Sequence, residues 1–562
     1  MSKKTGKRIM AFALAAVIGT VFFSACGGGG KDSDNSKNGK ESSASTDGKR
    51  DPLVLNVTME GNPGSKDGRV NEEFEKQMSK KLNRELKIKY ELIPGSEYSD
   101  KASILFSTGD FGDLIGIPFL FDYSKASEEG FLLDIAPYKD SFPNYWKYME
   151  QTSAGIASVT DDEGHIYDVK SIGLPRFPED KGMLPSNLST YRYDIFEKNN
   201  IKIPETLDEL YDAAKKLKEI YPDVYPVHTR WNDLRSLFFA NHTSNGVYWN
   251  GKEYVMGLYE EGYKDAVAFA RKLYAEGLLD PEYISDDDEM LKSKELSDKT
   301  FIVMADWFTT PGEFTRLSSS GQVFCATLFP GNPKYGEEAW QEVQPVNTVS
   351  INQFSGMAVN ADTKDPEGVI EFLNHCFDDD IIRLLTWGIE GDSYDLDKDG
   401  NPQFVDEILN APDPWSEADK YGMRASKNMR PGVILAEDSK AYVALAADDW
   451  LYYDGKVHQE PVEQSEYYLN LPYPDYPENP YVPPAFEEPV CTFDTDTTQE
   501  NSQITTAYNT LRDEWETALV SGTRSMDEWD KYMKEIKNVA DIDKLLDNYN
   551  KAAKEYFKRS EK

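Results

Sequence analysis

The chain has 562 residues, enough for roughly two to four domains with a sizeable core. It carries 99 acidic and 61 basic residues, a formal net charge of −38, and so acidic a chain repels nucleic acids and anionic membrane surfaces. Aromatic residues make up 12% of the sequence, which excludes wholesale disorder, and four cysteines without a CxxC pair exclude a disulfide-dense scaffold. The composition therefore predicts a large, acidic, soluble protein without a nucleic-acid partner.

The N-terminus has the order of a secretory signal peptide, which we assign to residues 1–25. The apolar run at residues 9–23 follows a basic stretch and is shorter than the roughly 20 residues that span a bilayer. The Ser-Ala-Cys sequence that ends at Cys26 resembles a bacterial lipobox, in which the cysteine is acylated. The alternative is an ordinary signal peptide with an incidental cysteine. A polar, glycine-rich linker at residues 26–51 then separates this lipid (palmitate) anchor from the folded part.

Strands and helices alternate along the folded part. Apolar runs and alternation predict strands at residues 53–58, 87–92, 114–117 and 301–304. Helical spacing and capping residues predict helices at residues 70–82, 100–107, 207–220, 263–276, 366–377, 505–520 and 542–557. Capping boxes are expected at Thr206 and Ser525. The βαβαβ order at the start predicts an α/β fold with a parallel sheet, and the chain ends in helices.

Two further features qualify this pattern. Residues 471–489 hold seven prolines interleaved with tyrosines, which predicts an extended surface strap; the alternative is a peptide ligand for a proline-reading module. Cys325 and Cys376 lie in apolar runs, and together with Cys491 they are predicted to be free thiols. The alternative is a single disulfide between two of these three cysteines.

Three segments carry a family resemblance through their sequence and order. STGDFGDLI at residues 107–115 matches a family turn, IPETLDELYDAAKKLKE at residues 203–219 matches a family helix, and KLYAEGLLDPE at residues 272–282 matches a family motif almost letter for letter. Behind a lipobox, the ordered set resembles the large extracellular solute-binding lipoproteins of carbohydrate ABC importers, a group that includes maltose-binding protein. The resemblance covers most of residues 53–557.

The resemblance implies a two-lobe α/β fold of the periplasmic-binding-protein type II, with two or three crossing segments as a hinge and the ligand in the cleft. Lobe one is expected at residues 52–170, completed by about 355–390, and lobe two at residues 171–354, completed by about 391–562. The implied protein is a monomer on the outer face of a Gram-positive-type cell membrane. It captures an oligosaccharide for the permease subunits of an ABC importer, and it needs no cofactor.

The chemistry of a sugar site suggests which residues contact the ligand. Sugars offer flat C–H faces and a fringe of hydroxyls, so the site needs aromatic faces together with carboxylates, amides and arginines. Trp307 follows a buried strand at a position that resembles a cleft aromatic of the family, and Trp231 lies in a polar loop. For each candidate the alternative is ordinary core packing. We predict ligand contacts at Trp307, Asp306, Trp231, Arg230, Asn232, Phe119, Asp122, Arg192 and Trp387.

One acidic segment copies the beginning of a calcium-binding loop. Asp395, Asp397 and Asp399 alternate before Gly400, and Asp406 falls at the twelfth position. Carboxylates two residues apart on a tight turn can face one cation, so calcium binding is one hypothesis. The alternative is an acidic hairpin without a metal, which the family often has at this place.

The sequence lacks the common enzyme motifs GxSxG, HExxH and GxxxxGK, and its five histidines have no metal-ligand spacing. We therefore predict a binding protein rather than an enzyme. A binding protein for peptides or another non-sugar solute is the first alternative. A surface glycoside hydrolase or lyase is the second, because two distant carboxylates suffice for that chemistry.

Overall fold

The structure is a computed structural model. It describes residues 50–61, 68–118, 121–151, 155, 159–161, 163–175, 183–185, 187–230, 233–307, 310–341, 343–345, 349–411, 413–423, 436–446, 449–460, 489, 491 and 493–560. The predicted signal peptide, the acylated Cys26, nearly all of the linker and the proline-rich strap lie outside the described residues. No helix in the described part of the chain is long and apolar enough to cross a membrane.

Eighteen strands lie in the described part of the chain. In chain order, β1 to β18 are Leu53–Glu60, Leu86–Ile93, Leu114–Ile117, Val169–Gly173, Met183–Pro185, Asn187–Arg192, Val227–His228, Val247–Trp249, Tyr254–Met256, Ile302–Trp307, Phe324–Thr327, Val343–Pro345, Ser350–Val359, Tyr394–Leu396, Pro402–Phe404, Ala436–Glu437, Asp449–Tyr453 and Lys456–Glu460.

The described helices cover these strands and form the C-terminus. In chain order, α1 to α18 are Arg69–Lys81, Gly95–Thr108, Ser124–Glu128, Pro143–Met149, Tyr193–Lys198, Leu207–Ile220, Arg235–Ala240, Glu261–Ala275, Asp288–Leu296, Thr310–Leu317, Pro366–His375, Asp379–Trp387, Asp406–Leu409, Pro414–Lys420, Ser439–Ala446, Thr495–Val520, Trp529–Val539 and Ile542–Ser560. Short 3-10 helices lie at Ala136–Ser141, Gly257–Tyr259, Pro281–Ile284 and Met526–Glu528.

The first large sheet has six strands in the order β16-β4-β13-β3-β1-β2. Strands β1, β2 and β3 are parallel to each other, as the βαβαβ order predicts. Strand β13, however, is antiparallel to both of its neighbours, β3 and β4, so the sheet is mixed rather than parallel. Helix α1 packs Val70, Phe74 and Met78 into the core beside this sheet. These side chains recur at every fourth residue because that spacing places them on one face of the helix.

The second large sheet also has six strands, in the order β18-β17-β11-β6-β10-β7. Strand β6 is antiparallel to its neighbours β10 and β11, while β10 is parallel to β7 and β11 is parallel to β17. The carboxyl ends of β7, β10, β11 and β17 therefore lie at one edge, together with the amino end of β6. We call this the ligand edge of the second sheet.

The chain passes between the two large sheets three times among the described strands. The first passage leads from β4 to β6, the second from β11 to β13, and the third from β16 to β17. The first two passages contain β5 and β12, which pair with each other in an antiparallel ribbon. Three passages agree with the two or three crossing segments that the resemblance implies, and the mixed α/β fold has two lobes.

Each large sheet lies in its own hydrophobic core. The second core includes Trp515 and Tyr532 from the C-terminal helices, so these helices belong to the second lobe. The predicted division also assigns residues 391–450 to lobe two, but side chains from Tyr394 to Leu445 pack in the first core. The physical reason is that strand β16 pairs with β4 in the first sheet. The chain therefore crosses to the second sheet for the last time only after β16.

The predicted elements differ from the structure mainly at their ends. Helix α2 begins five residues earlier than predicted and helix α16 ten residues earlier, because polar residues in their first turns hide the helical spacing. The capping box at Ser525 is confirmed. At Thr206 the hydroxyl accepts the Glu209 N–H at 3.3 Å as predicted, but the Glu209 carboxylate accepts the N–H of Glu205 instead of the N–H of Thr206. None of Cys325, Cys376 and Cys491 forms a disulfide, as predicted.

Candidate functional site

The two large sheets are joined through particular edges. The first passage leaves the carboxyl end of β4 at Gly173 and enters β6 at Asn187, on the ligand edge. The second passage leaves the ligand edge at Thr327 and enters β13 at Ser350. Since β13 is antiparallel to β3, its amino end lies at the carboxyl edge of the first sheet. The paired passages thus connect the two edges at which α/β proteins usually bind ligands.

Trp307 occupies the ligand edge of the second sheet. It is the last residue of β10, where it pairs with Asn187, the first residue of β6. The five preceding strand residues are buried, whereas Trp307 is only half-buried. A half-buried indole at the carboxyl end of a central strand offers the flat apolar surface that a sugar face requires.

A β-bulge determines how β10 reaches this edge. The pairing register with β6 shifts by one residue between Val303 and Asp306. The extra residue reverses the alternation of side chains along the rest of the strand. At the bulge, the Ser189 hydroxyl donates a hydrogen bond to the Met304 carbonyl at 2.9 Å, so this carbonyl is not left without a partner.

Asp306 and Arg230 form a buried ion pair beside Trp307. The Asp306 side chain is fully buried, and its Oδ1 accepts hydrogen bonds from Arg230 Nε at 2.7 Å and the Trp307 N–H at 2.8 Å. The Thr310 hydroxyl, at the start of α10, donates to the same oxygen at 3.0 Å. Arg230 Nη1 also donates to Asp288 Oδ1 at 2.8 Å. Both residues are predicted ligand contacts, and the structure places each side chain in a buried position with protein partners.

The same cluster holds an additional carboxyl group. Glu295 of α9 is buried, and burial raises its pKa well above the ordinary value, with the neighbouring Asp306 carboxylate adding to the effect and Arg230 opposing it. Burial thus favours the neutral form of Glu295 over its charged form more strongly than for an exposed glutamate. Desolvation opposes the charge of Arg230, but Asp306 and its other acidic neighbours raise its pKa, so it remains charged.

A second buried ion cluster lies on the other side of α9. His228 Nε2 is 2.9 Å from Asp286 Oδ2, and Lys294 Nζ lies 2.9 Å from Asp280 Oδ2 and 2.8 Å from Glu282 Oε2. Metal ions are usually held by His, Cys, Asp and Glu side chains. Among the described residues, one group of three such side chains has its ligand atoms within 4.8 Å of one another, namely His228, Asp280 and Asp286. Because the Lys294 ammonium contacts both aspartates, it supplies the positive charge that a metal ion would otherwise provide.

On the first lobe the structure places Asp122 at the surface. Its Oδ1 accepts hydrogen bonds from the N–H and the hydroxyl of Ser124, at 2.9 and 2.6 Å, so it shapes the start of α3. The next residue, Tyr123, lies near a buried pair in which Lys170 Nζ is 2.6 Å from Asp168 Oδ2. Burial and the Asp168 carboxylate raise the pKa of Tyr123 well above its ordinary value.

Two predicted ligand contacts lie in buried positions, as the alternative of core packing describes. Trp387 is only 3% exposed, and its ring packs in the first core against Phe404 at a centroid distance of 4.6 Å. Arg192 is buried, with its guanidinium paired to Asp194 at 2.9 Å and to Asp298 at 2.5 Å. Both residues lie beside apolar runs, and the sequence alone did not show that these runs enclose them.

Phe119, Trp231 and Asn232 lie outside the described residues, so their predicted contacts stay predictions. Three residues that contact the Arg230–Asp306 pair were missed by sequence analysis, namely Thr310, Asp288 and Glu295. Thr310 stands before a proline at a helix start, a pattern that indicates a capping role. Nothing in the local sequence relates Asp288 or Glu295 to Trp307.

The acidic segment forms the β14–β15 hairpin. The Asp397 carboxylate accepts the N–H groups of Asp399 at 2.9 Å and Asn401 at 2.8 Å, and these contacts lower its pKa. Such contacts stabilise the turn by themselves. Asp395, Asp397, Asp399 and Asp406 do not form a group with three ligand atoms within 4.8 Å. As described, the loop does not gather the ligands that a calcium ion needs.

A cavity of about 290 Å³ lies beside helices α6 and α8. It is lined by Leu207, Asp208, Asn241, Asp265, Ala268, Phe269, Lys272, Asn332 and Pro333. Two of the lining amides already satisfy each other, since Asn332 Nδ2 donates to Asn241 Oδ1 at 2.8 Å. We therefore locate the candidate site at the ligand edge and not in this cavity.

Comparison with known proteins gives consistent results. A family model described as bacterial extracellular solute-binding protein matches residues 67–381. Two proteins of Bacillus subtilis (strain 168) are similar in sequence: lipoprotein LipO, 22% identical over 356 residues, and the polygalacturonan/rhamnogalacturonan-binding protein YtcQ, 21% identical over 337 residues. Each alignment covers 58% of this chain and 64% of the relative's length.

Among solved structures, the fold is similar to that of the S. pneumoniae ABC-transporter substrate binding protein FusA, an EF-hand mutant in complex with fructo-nystose. The superposition has a TM-score of 0.68 at 18% identity and covers 90% of this chain and 100% of that chain.

Proposed function

Since the chain belongs to the bacterial extracellular solute-binding proteins, we propose that it captures an oligosaccharide between its two lobes and delivers it to the permease subunits of an ABC importer. The observation that carries this proposal is Trp307, a half-buried indole at the ligand edge of the second sheet. The paired passages that join this edge to the first sheet support a shared cleft. The protein acts as a monomer in this proposal.

The relatives support a sugar as the solute. YtcQ is named as a polygalacturonan/rhamnogalacturonan-binding protein, and the FusA structure holds fructo-nystose. The side chains of Arg230, Asp306 and Thr310 beside Trp307 form hydrogen bonds with protein groups. Because these groups already have partners, we expect the ligand to contact this place mainly by stacking on the Trp307 ring. Stacking of this kind suits the C–H face of a sugar better than an extended peptide backbone, whose hydrogen-bonding groups need partners.

A thermal-shift screen tests the proposal. The protein is heated with a panel of oligosaccharides of different linkage and, in parallel, with a panel of short peptides. A ligand that binds only the native state raises the melting temperature, and we expect this for one class of oligosaccharide. A rise with peptides and none with oligosaccharides would favour the alternative of a peptide-binding protein.

Catalysis is the remaining alternative, and it has a simple test. We propose that the bound oligosaccharide is not cleaved. After overnight incubation with the protein, the oligosaccharide should show no new reducing ends and no new unsaturated ends. New ends that increase with protein concentration would identify a glycoside hydrolase or lyase.

The proposal includes a lipid anchor at Cys26. The lipobox-like sequence before Cys26 supports it, as does the name of the relative LipO. Cys26→Ser should release the protein from the cell membrane into the medium, whereas Cys491→Ser should not. Retention of the Cys26→Ser variant on the membrane would contradict the anchor.

Calcium is proposed only as a structural ligand of the β14–β15 hairpin. The alternation of Asp395, Asp397 and Asp399 supports it, and FusA is described as having an EF-hand. Because the described carboxylates do not converge, binding requires the loop to rearrange. A chelator should then lower the melting temperature reversibly, and Asp399→Asn should abolish the effect. If the chelator changes nothing, the hairpin is held by its own hydrogen bonds.

A further inference from the structure

The carboxylate beside Trp307 connects three separate parts of the second lobe. Its donors come from the loop after β7, from β10 itself and from the first turn of α10. We propose that Arg230 and Thr310 are positioning residues, which hold the Trp307 ring at the ligand edge through Asp306. The inference rests on the proposed function in one respect, namely that Trp307 faces the ligand.

The bulge in β10 explains why Trp307 needs an additional contact to fix its position. Upstream of the bulge the strand is held in register with β6, but the register shift leaves only Asp306 and Trp307 beyond it. A bulge interrupts the ladder and bends the strand, so the ladder alone fixes the direction of the last residue poorly. The hydrogen bond from the Trp307 N–H to Asp306 Oδ1 supplies a second constraint on this backbone.

The position of the Asp306 carboxylate is in turn determined by its other two donors. Asp306, Arg230 and Thr310 are all buried, so none of them exchanges its partner for water at low cost. Arg230 is itself anchored by Asp288 at the start of α9. A change at Thr310 or Arg230 therefore reaches Trp307 through Asp306, without any direct contact between the altered side chain and a ligand.

The test needs no ligand. The protein is labelled with 5-fluorotryptophan, and among its ten tryptophans the ¹⁹F resonance of Trp307 is identified by its loss in Trp307→Phe. Thr310→Val has nearly the same shape but no hydroxyl, and we expect it to move the Trp307 resonance by more than its line width. Thr310→Ser keeps the hydroxyl and should leave the resonance at its wild-type position.

Arg230→Lys provides the second variant, because it keeps the charge and loses the guanidinium donors, and it should also move the Trp307 resonance. Asp298→Asn is the matched control, since it removes a partner of the neighbouring buried Arg192 but does not touch Asp306. It should lower the melting temperature without moving the Trp307 resonance. If Trp307 keeps its wild-type resonance in folded Thr310→Val and Arg230→Lys, the proposal is overturned.

These outcomes are separate from those of the oligosaccharide screen. A screen without any ligand would contradict the proposed function, whereas the ¹⁹F measurement on the free protein would still decide whether Arg230 and Thr310 position Trp307. Conversely, an unmoved resonance would leave a positive screen intact. The melting temperature of each variant, recorded in parallel, distinguishes local displacement from general loss of structure.

Discussion

At the scale of single residues, two tryptophans show how surroundings decide a role. Trp307 ends a strand and keeps part of its indole accessible. Trp387 ends a helix, but its ring lies in the first core and its Nε1 donates to Asp438 Oδ2 at 2.9 Å. The two rings have the same chemistry, so the packing around them decides which one is a candidate ligand contact.

We expect Trp307→Ala to weaken oligosaccharide binding. Base–aromatic stacking, a close analogue, is worth about 1–3 kcal/mol, which corresponds to a loss of affinity of about 5- to 150-fold. The melting temperature of the ligand-free protein should change little. Isothermal titration and thermal unfolding measure the two effects. Normal affinity together with a much lower melting temperature would make Trp307 a packing residue.

Trp387→Ala should behave in the opposite way. Truncation of a core tryptophan costs about 3–5 kcal/mol of stability through lost burial and the cavity left behind. Chemical denaturation should show this loss, while the protein that remains folded should bind its oligosaccharide with nearly wild-type affinity. A large loss of affinity at unchanged stability would return Trp387 to the binding site.

At the scale of elements, the C-terminal helices attach to the second lobe through a partly buried acid. Glu516 of α16 is partly buried, and burial raises its pKa to about 7, although the hydroxyl of Tyr263 from α8 donates to it and Arg512 lies nearby. The packing of α16 on α8 is therefore coupled to protonation. Tyr508 and Tyr532 surround the same carboxyl group.

The sign of the pH effect follows from the raised pKa. Below the unfolded pKa of about 4.5 the carboxyl group is protonated in both states, and its protonation favours neither state. As the pH rises toward 7 the unfolded state ionises first, so the free energy of unfolding falls by up to about 3 kcal/mol. Above pH 7 this loss is complete.

Glu516→Gln should remove this pH dependence. We expect the variant and the wild type to have similar free energies of unfolding at pH 5, and the variant to be the more stable at pH 8. Urea denaturation between pH 5 and pH 8 measures the difference. Glu514→Gln, an exposed neighbour on the same helix, is the control and should leave the pH profile unchanged. Parallel profiles for the wild type and Glu516→Gln would contradict this prediction.

At the scale of the whole molecule, three passages connect two separately packed lobes, and the proposed function requires a cleft between them that opens and closes. Each lobe has its own core, so the lobes can move as units while the β5–β12 ribbon bends. A ligand that contacts both lobes favours the closed arrangement by its differential affinity for it. Under the proposed function, solute binding is thus coupled to a change in shape that an importer can recognise.

Small-angle scattering tests this closure. We expect the radius of gyration to fall when the wild-type protein is saturated with the oligosaccharide that raises its melting temperature. Trp307→Ala should show the fall only at correspondingly higher concentrations, because the ligand then bridges the lobes less strongly. An unchanged radius at saturation would show that the ligand is bound by one lobe alone.

Much of the architecture follows from the sequence by itself. Apolar runs such as Leu53–Glu60 and the spacing of Val70, Phe74 and Met78 are local patterns, because burial on one face of an element repeats at its own period. The capping box at Ser525 is local in the same sense. The ordered family motifs predicted the two lobes and their crossing segments.

Only the tertiary structure decided which polar and aromatic residues are enclosed. Arg230, Asp306 and Thr310 belong to three different segments of the chain. Arg230 and Thr310 donate to the same carboxylate oxygen of Asp306 only because folding brings these segments together. The antiparallel direction of β13 and the placement of Tyr394, Phe404 and Leu445 in the first core also depend on pairings between distant strands. Local sequence patterns indicate which face of its own helix or strand a residue occupies. Burial depends on which other element covers that face, and this is decided only in the folded chain.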